Sequence, residues 1–171
     1  MRIVVMIVML SIAATATAQT RARTSAKRAT PSAKSTPTSV VEARTSGATR
    51  VADQIKNLTR FVYLLGGVAK GIEQIDEAAR KNEASPAALQ TNAQNKATVK
   101  NSLQNVREGL DALEIYFRST PGLEGYYLKL AGSASGAASA EEQAAAGRFD
   151  QAGRTLLGVV NRLTDVLLVM R

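Results

Sequence analysis

The sequence predicts an all-α protein: an up-down-up-down antiparallel four-helix bundle behind an N-terminal export segment and a basic linker. Three observations carry this. Apolar residues recur in alternating steps of four and three over four long segments, the spacing that puts one oily stripe on a helix. No segment alternates with period two, so no strand is expected. The chain has no Cys, so no disulfide framework replaces a dry core, and the stripes must meet in one interior.

Residues 1–18 come first. Arg2 is followed by the unbroken apolar run Ile3 to Leu10, and Ala16-Thr17-Ala18 reads as a small-residue cleavage site. That layout predicts a secretory signal peptide cut between Ala18 and Gln19. The apolar stretch falls short of the ~18 or more residues of a membrane anchor and fades into Ala and Thr. If it were retained, it would be the only route to a membrane. The expected location is periplasmic or extracellular.

Residues 19–47 hold six basic side chains (Arg21, Arg23, Lys27, Arg28, Lys34, Arg44) against one acid, Glu42. Pro31, Pro37 and many Ser, Thr and Ala fill the rest, and Val40-Val41 is the one apolar pair. Such a stretch cannot bury enough surface to offset its ordering entropy, so a disordered linker is expected. Residues 48–171 carry fifteen basic and thirteen acidic side chains, about +2 of the chain's +8. The basic balance therefore belongs mostly to the tail. A nearly neutral domain argues against nucleic-acid binding by its folded surface.

The first helix is expected over about 48–82, with Val51, Ile55, Leu58, Val62, Leu65, Ala69 and Ile72 as its seam. Ser85-Pro86 supplies an N-cap and a first-turn proline for the second, about 86–118, with Val99, Leu103, Val106, Leu110, Leu113 and Phe117 in step. Thr120-Pro121 repeats the signal for a third helix, about 121–146, whose seam Leu123, Tyr127, Leu130, Ala134, Ala137 declines into alanine. The two glycines within Ala131–Ala140 weaken that stretch. Either small residues allow close helix approach there or the helix breaks; the persisting alanine period favours one continuous helix with a close neighbour. Gly147 marks a turn, and Phe149, Ala152, Leu156, Val159, Leu163, Val166 and Met170 stripe the fourth helix, about 148–170.

Absence of residue types excludes several chemistries. Without His or Cys there is no ordinary zinc site, no His- or Cys-ligated haem and no Ser-His-Asp or Cys-His catalysis. No Asp-x-Asp-x-Asp-Gly calcium loop occurs. No cofactor and no metal are expected. Acid pairs such as Glu73 with Glu77, or Glu108 with Asp111, beside Lys70, are what an exposed helix face looks like, so the protein is not expected to be an enzyme.

Two resemblances attach to the last turn. Gly147-Arg148-Phe149-Asp150-Gln151-Ala152 resembles the turn and second-helix start of a tetratricopeptide repeat. No second copy follows at the ~34-residue period that such repeats require. The same turn resembles the last hairpin of cytochrome-b562-like four-helix bundles, exported and free of Cys. That likeness implies architecture alone, since the family's haem needs a His ligand and this chain has none.

With antiparallel helices, the aromatics gather toward one pole. Tyr63, Tyr116 and Tyr126 fall beside the seams rather than on them. They are the candidate binding surface, a tyrosine rim between helices, against the simpler reading that the aromatics are core. The first two helices look about ten residues longer than the last, or ~15 Å at 1.5 Å per residue. A hairpin of roughly residues 71–99 should project, leaving Ile72, Ile75 and Leu89 partly uncovered or zipped together. The expected role is a non-enzymatic adaptor or binding module at the cell envelope, with an envelope protein as partner. The alternative is attachment by the basic tail to anionic envelope polymer or lipid, the bundle being passive. Leu167 to Met170 either close the core or pair two copies as a homodimer.

Overall fold

A computed structural model of the chain describes residues 37–171, with side chains from residue 39 onward. The expected signal segment, its Ala18–Gln19 cleavage site and most of the linker lie outside the described residues. Those described are all-helical: α1 Pro37–Arg80, α2 Pro86–Ser119, α3 Glu124–Leu130, α4 Ser133–Ala145 and α5 Phe149–Val169, with no strand among them.

Helix α1 starts eleven residues before the expected boundary at Ala48, and the linker reading of residues 37–47 is corrected here. A proline suits a helix's first turn because its missing N–H has no partner there anyway. The extension is held by packing. Gly47 is buried, and a Cβ built on it would stand 2.9 Å from Met170, 3.1 Å from Leu123 and 3.2 Å from Phe117. Only a residue without a side chain lets the α1 backbone approach that pole so closely. Val40, half of the linker's lone apolar pair, sits against Gly122.

Helix α1 ends at a left-handed Asn82, φ 60°. Glu83 N–H donates to Ala78 O at 2.8 Å and Asn82 N–H to Ala79 O at 3.0 Å, a Schellman closure of the orphan carbonyls. Ser85 then caps α2 as expected, its Oγ accepting from Ala88 N–H at 3.2 Å ahead of the first-turn Pro86.

The Thr120-Pro121 expectation is corrected. Thr120 closes α2, its N–H donating to Tyr116 O, and α3 begins only at Glu124. The single helix expected over 121–146 is also corrected, for it breaks at Ala131-Gly132. Gly132 has φ 87°, a left-handed conformation that glycine adopts without a Cβ penalty. Neighbouring helices satisfy the backbone groups freed by the break. Glu114 of α2 accepts from Ala134 N–H at 2.9 Å, and Arg162 of α5 donates to Ala131 O at 3.2 Å. At Gly147, φ 75°, a second Schellman pair turns α4 into α5, with Arg148 N–H on Gln143 O and Gly147 N–H on Ala144 O.

Helix α1 packs on α2 and α5, and α4 packs on the same two; α3 also lies on α2 and α5. Cross-contacts give the directions. Tyr116 meets Ser46 while Asn92 meets Asp76, so α1 and α2 run antiparallel. Glu114 meets Ala134 while Arg107 meets Glu141, so α2 opposes α4. Gln143 meets Thr155 while Ala131 meets Arg162, so α4 opposes α5.

The stripes close on one core. Val51, Leu58, Leu65, Ile72, Leu103, Leu110, Phe117, Leu123, Leu130, Leu156, Leu163 and Val166 are buried within it. Each such side chain contributes roughly 1.5–3 kcal/mol on leaving water. The alanine seam of α4 (Ala134, Ala137, Ala140, Ala144) is buried too. It permits close approach to α5, where a Cβ on Gly136 would lie 2.7 Å from Val159. Met170 is buried and closes the core, whereas Leu168 and Val169 face outward.

Candidate functional site

The three tyrosines do not form one rim. Tyr116 is half-buried against the core; its hydroxyl donates to Ser46 Oγ at 3.2 Å, and its ring lies edge-on to Phe117 and 4.2 Å from the Arg50 guanidinium. Tyr126 also packs on the core, half-buried. Tyr63 points to solvent, 83% exposed. It stands seventeen residues along α1 from Ser46, or ~25 Å of helix, so it lies far from the Tyr116 end. Tyr63 lies near mid-helix both in α1 and in a helix of residues 48–82, so antiparallel pairing does not bring it to the Tyr116 end.

The projecting hairpin leads to a different site. Phe149, the first residue of α5, shares a groove with Val62, Leu65 and Ala69 of α1. The α1 residues beyond Ala69 and the opening turns of α2 therefore extend past the α4–α5 turn. Ile72 is fully buried there, while Ile75 is half-buried and Leu89 is 44% exposed, so the three divide between the two expected outcomes. A polar clasp joins the two arms. Asp76 accepts from Asn92 Nδ2 and from Lys96 Nζ, each at 2.7 Å. Asn92 is buried, and its Oδ1 has no hydrogen-bond partner. An unsatisfied buried acceptor costs about 1–3 kcal/mol.

Beneath this overhang is a cleft of about 510 Å³. Helix α1 contributes Asp76, and α2 contributes Lys96, Ala97, Val99, Lys100 and Leu103. Helix α4 and its turn contribute Glu141, Ala144, Ala145, Ala146 and Gly147, and α5 contributes Phe149. Val99, Leu103, Ala144 and Phe149 are buried members of the core, so the floor is apolar. Charged groups stand around it, and their pairing is uneven. Asp76 is held by Lys96, and Glu141 lies 3.7 Å from Arg107. Lys100 is exposed, and among the described residues its side chain has no ion pair or hydrogen bond. Glu77 lies outside the lining; hydrogen bonds from Lys81 first and Arg80 second hold its carboxyl below the ordinary carboxylate range.

Each lining carboxylate has a cation within 4 Å, Lys96 at 2.7 Å from Asp76 and Arg107 at 3.7 Å from Glu141. Among the described residues no three metal-ligating side chains gather. No helix among them is long and apolar enough to cross a membrane. The cleft was hidden from sequence reading because its lining comes from four elements, and a repeat of small residues such as Ala144-Ala145-Ala146 reads as plain helix. The register of the first two helices could have found it, because antiparallel pairing sets Asp76 opposite Asn92 and Lys96.

No protein-family model, curated protein or solved structure matches this chain.

Proposed function

We propose that this chain is an exported, non-enzymatic binding module of the cell envelope, an up-down-up-down helical bundle whose working site is the cleft beneath the α1–α2 hairpin. The cleft itself carries the reading: about 510 Å³ with an apolar floor and few charged groups, within the range of small-ligand sites. A cation within 4 Å of each lining carboxylate favours binding over catalysis. The Arg2-to-Ala18 pattern supports export.

The test has two arms. Protein recovered from the cell envelope should begin at Gln19 by N-terminal sequencing. Native mass spectrometry of that protein should detect a bound small molecule that is absent from Ala145→Trp, in which a large side chain at an exposed lining position fills the cleft. Recovery from the cytoplasm with Met1 intact refutes export. A small-molecule complement that Ala145→Trp leaves unchanged refutes the site.

A second reading rests on charge placement. Residues 19–36 carry Arg21, Arg23, Lys27, Arg28 and Lys34 and no acid, while residues 48–171 are nearly balanced. Attachment of that tail to anionic polymer or lipid would fall steeply between roughly 50 and 200 mM salt, as polyion contacts do. Attachment through the cleft would hardly change.

A further inference from the structure

The lining of the cleft specifies a ligand class. We infer that it takes an apolar monocarboxylate, a compact acyl or aromatic acid, with its carboxylate at Lys100 and its body over Val99, Leu103, Ala144 and Phe149. The inference rests on the binding reading above and names what is bound.

Charge balance gives the sign. Of four charged groups in the lining, Asp76 and Lys96 neutralise each other at 2.7 Å. Glu141 has Arg107 of α2 as its cation at 3.7 Å. Lys100 is left without a counter-charge among the described residues. The C-terminus of α4 and the N-terminus of α5 both end at this cleft, so their opposed dipoles offset and the side chains decide the sign. One ammonium, with no guanidinium fork in the lining, suits a single carboxylate better than a phosphate, which recruits several donors.

The floor gives the rest. Val99, Ala144 and Phe149 show the edges of their apolar side chains above the buried Leu103, and the run Ala144-Ala145-Ala146-Gly147 keeps the wall low. A volume of about 510 Å³ lies in the lower half of small-ligand pockets. A short chain or a ring system is therefore expected, lying on the floor with its charged end at the solvent edge. This is the usual economy of such sites: apolar area for affinity and one polar contact for orientation.

The test titrates the full-length protein with decanoate, decanol and decyltrimethylammonium, followed by amide chemical shifts and calorimetry. Decanoate should bind best and shift Lys96, Lys100 and Ala145 to Phe149. Lys100→Glu should weaken decanoate about tenfold, equivalent to ~1.4 kcal/mol, and Ala145→Trp should abolish it. Both substitutions are at exposed positions, so the thermal melt should be retained. Equal or tighter binding of decanol or the cationic probe overturns the carboxylate assignment and leaves the cleft reading standing. Failure of all three probes, while purified protein still holds a small molecule displaced by Ala145→Trp, overturns the class alone. Failure of the probes with no such molecule overturns both. Lys100-dependent sedimentation with phosphatidylglycerol vesicles, without decanoate binding, assigns the cation to a lipid surface and overturns the soluble-ligand claim.

Discussion

Alanine replacing glycine should have unequal effects at two helical positions in this protein. Gly67 lies in the middle of α1, and a Cβ placed on it meets nothing within 4 Å. Its neighbours Gly66 and Gly71 are equally open. Glycine within a helix is about 0.8–1.0 kcal/mol less favourable than alanine, so Gly67→Ala should stabilise by about 1 kcal/mol. With an unfolding entropy of ~2.1 cal/mol/K per residue, that raises Tm by about 3–5 °C for a domain of this size. Gly136 in α4 is different, because its Cβ would stand 2.7 Å from Val159 Cγ2. Val159 is buried, and its branched side chain has few alternative rotamers. Overpacking costs about 1–3 kcal/mol, offset by the ~1 kcal/mol helix gain, so Gly136→Ala should be neutral to destabilising by ~2 kcal/mol. Urea and thermal denaturation of the full-length protein, followed at 222 nm (a helix signal), give both values. A Gly67→Ala variant that loses as much stability as Gly136→Ala refutes the reasoning, since it would mean that the α1 glycines are packed or kinked.

Other consequences are more local. Leu110→Ala removes a fully buried side chain from α2 and should cost about 2–5 kcal/mol in urea denaturation, with the m-value unchanged. Ser85→Ala deletes the acceptor that caps α2 and should cost ~1 kcal/mol; equal stability would remove the cap from the account. Glu77 has a lowered carboxyl pKa in the folded state, so its contribution is complete above its ordinary value and is lost as pH falls through the lowered one. Glu77→Gln should therefore be slightly less stable than the parent at pH 7, and the gap should close in acid.

The helical seams were legible because a 3.6-residue period leaves a stripe whatever the partner. Leu58, Leu103, Phe117, Leu156 and Leu163 are core residues by spacing and by structure. The Ser85 cap and the Gly147 turn were legible because both are local chemistry. Boundaries set by distant contacts were not. Residues 37–47 have a linker's composition, and what orders them is the fit of Gly47 against Phe117, Leu123 and Met170, none of them near in sequence. The break at Gly132 likewise depends on Glu114 and Arg162 reaching in from other helices. Thr120-Pro121 has the residues of a helix start, but the chain uses Thr120 to end α2. Among candidate site residues, Tyr63 and Tyr116 share an off-seam position, yet one is solvated and the other is fixed by Arg50 and Ser46. The cleft residues Asp76, Lys96, Lys100 and Glu141 are ordinary surface charges in sequence, and only their pairing in space singles out Lys100.

Everything functional depends on α1, α2, α4 and α5 sharing one cooperative interior. Native-state amide hydrogen exchange on the full-length protein measures this residue by residue. Leu58, Leu65, Leu103, Leu110, Ala137, Ala140, Leu156 and Leu163 should exchange with one common opening free energy, equal to that of global unfolding. Ala84, Ser85 and Gly122, in the exposed or half-buried connections, should exchange far faster. Free exchange across α4, or separate opening energies for the α1–α2 and α4–α5 pairs, would contradict a single core and remove the floor from the cleft.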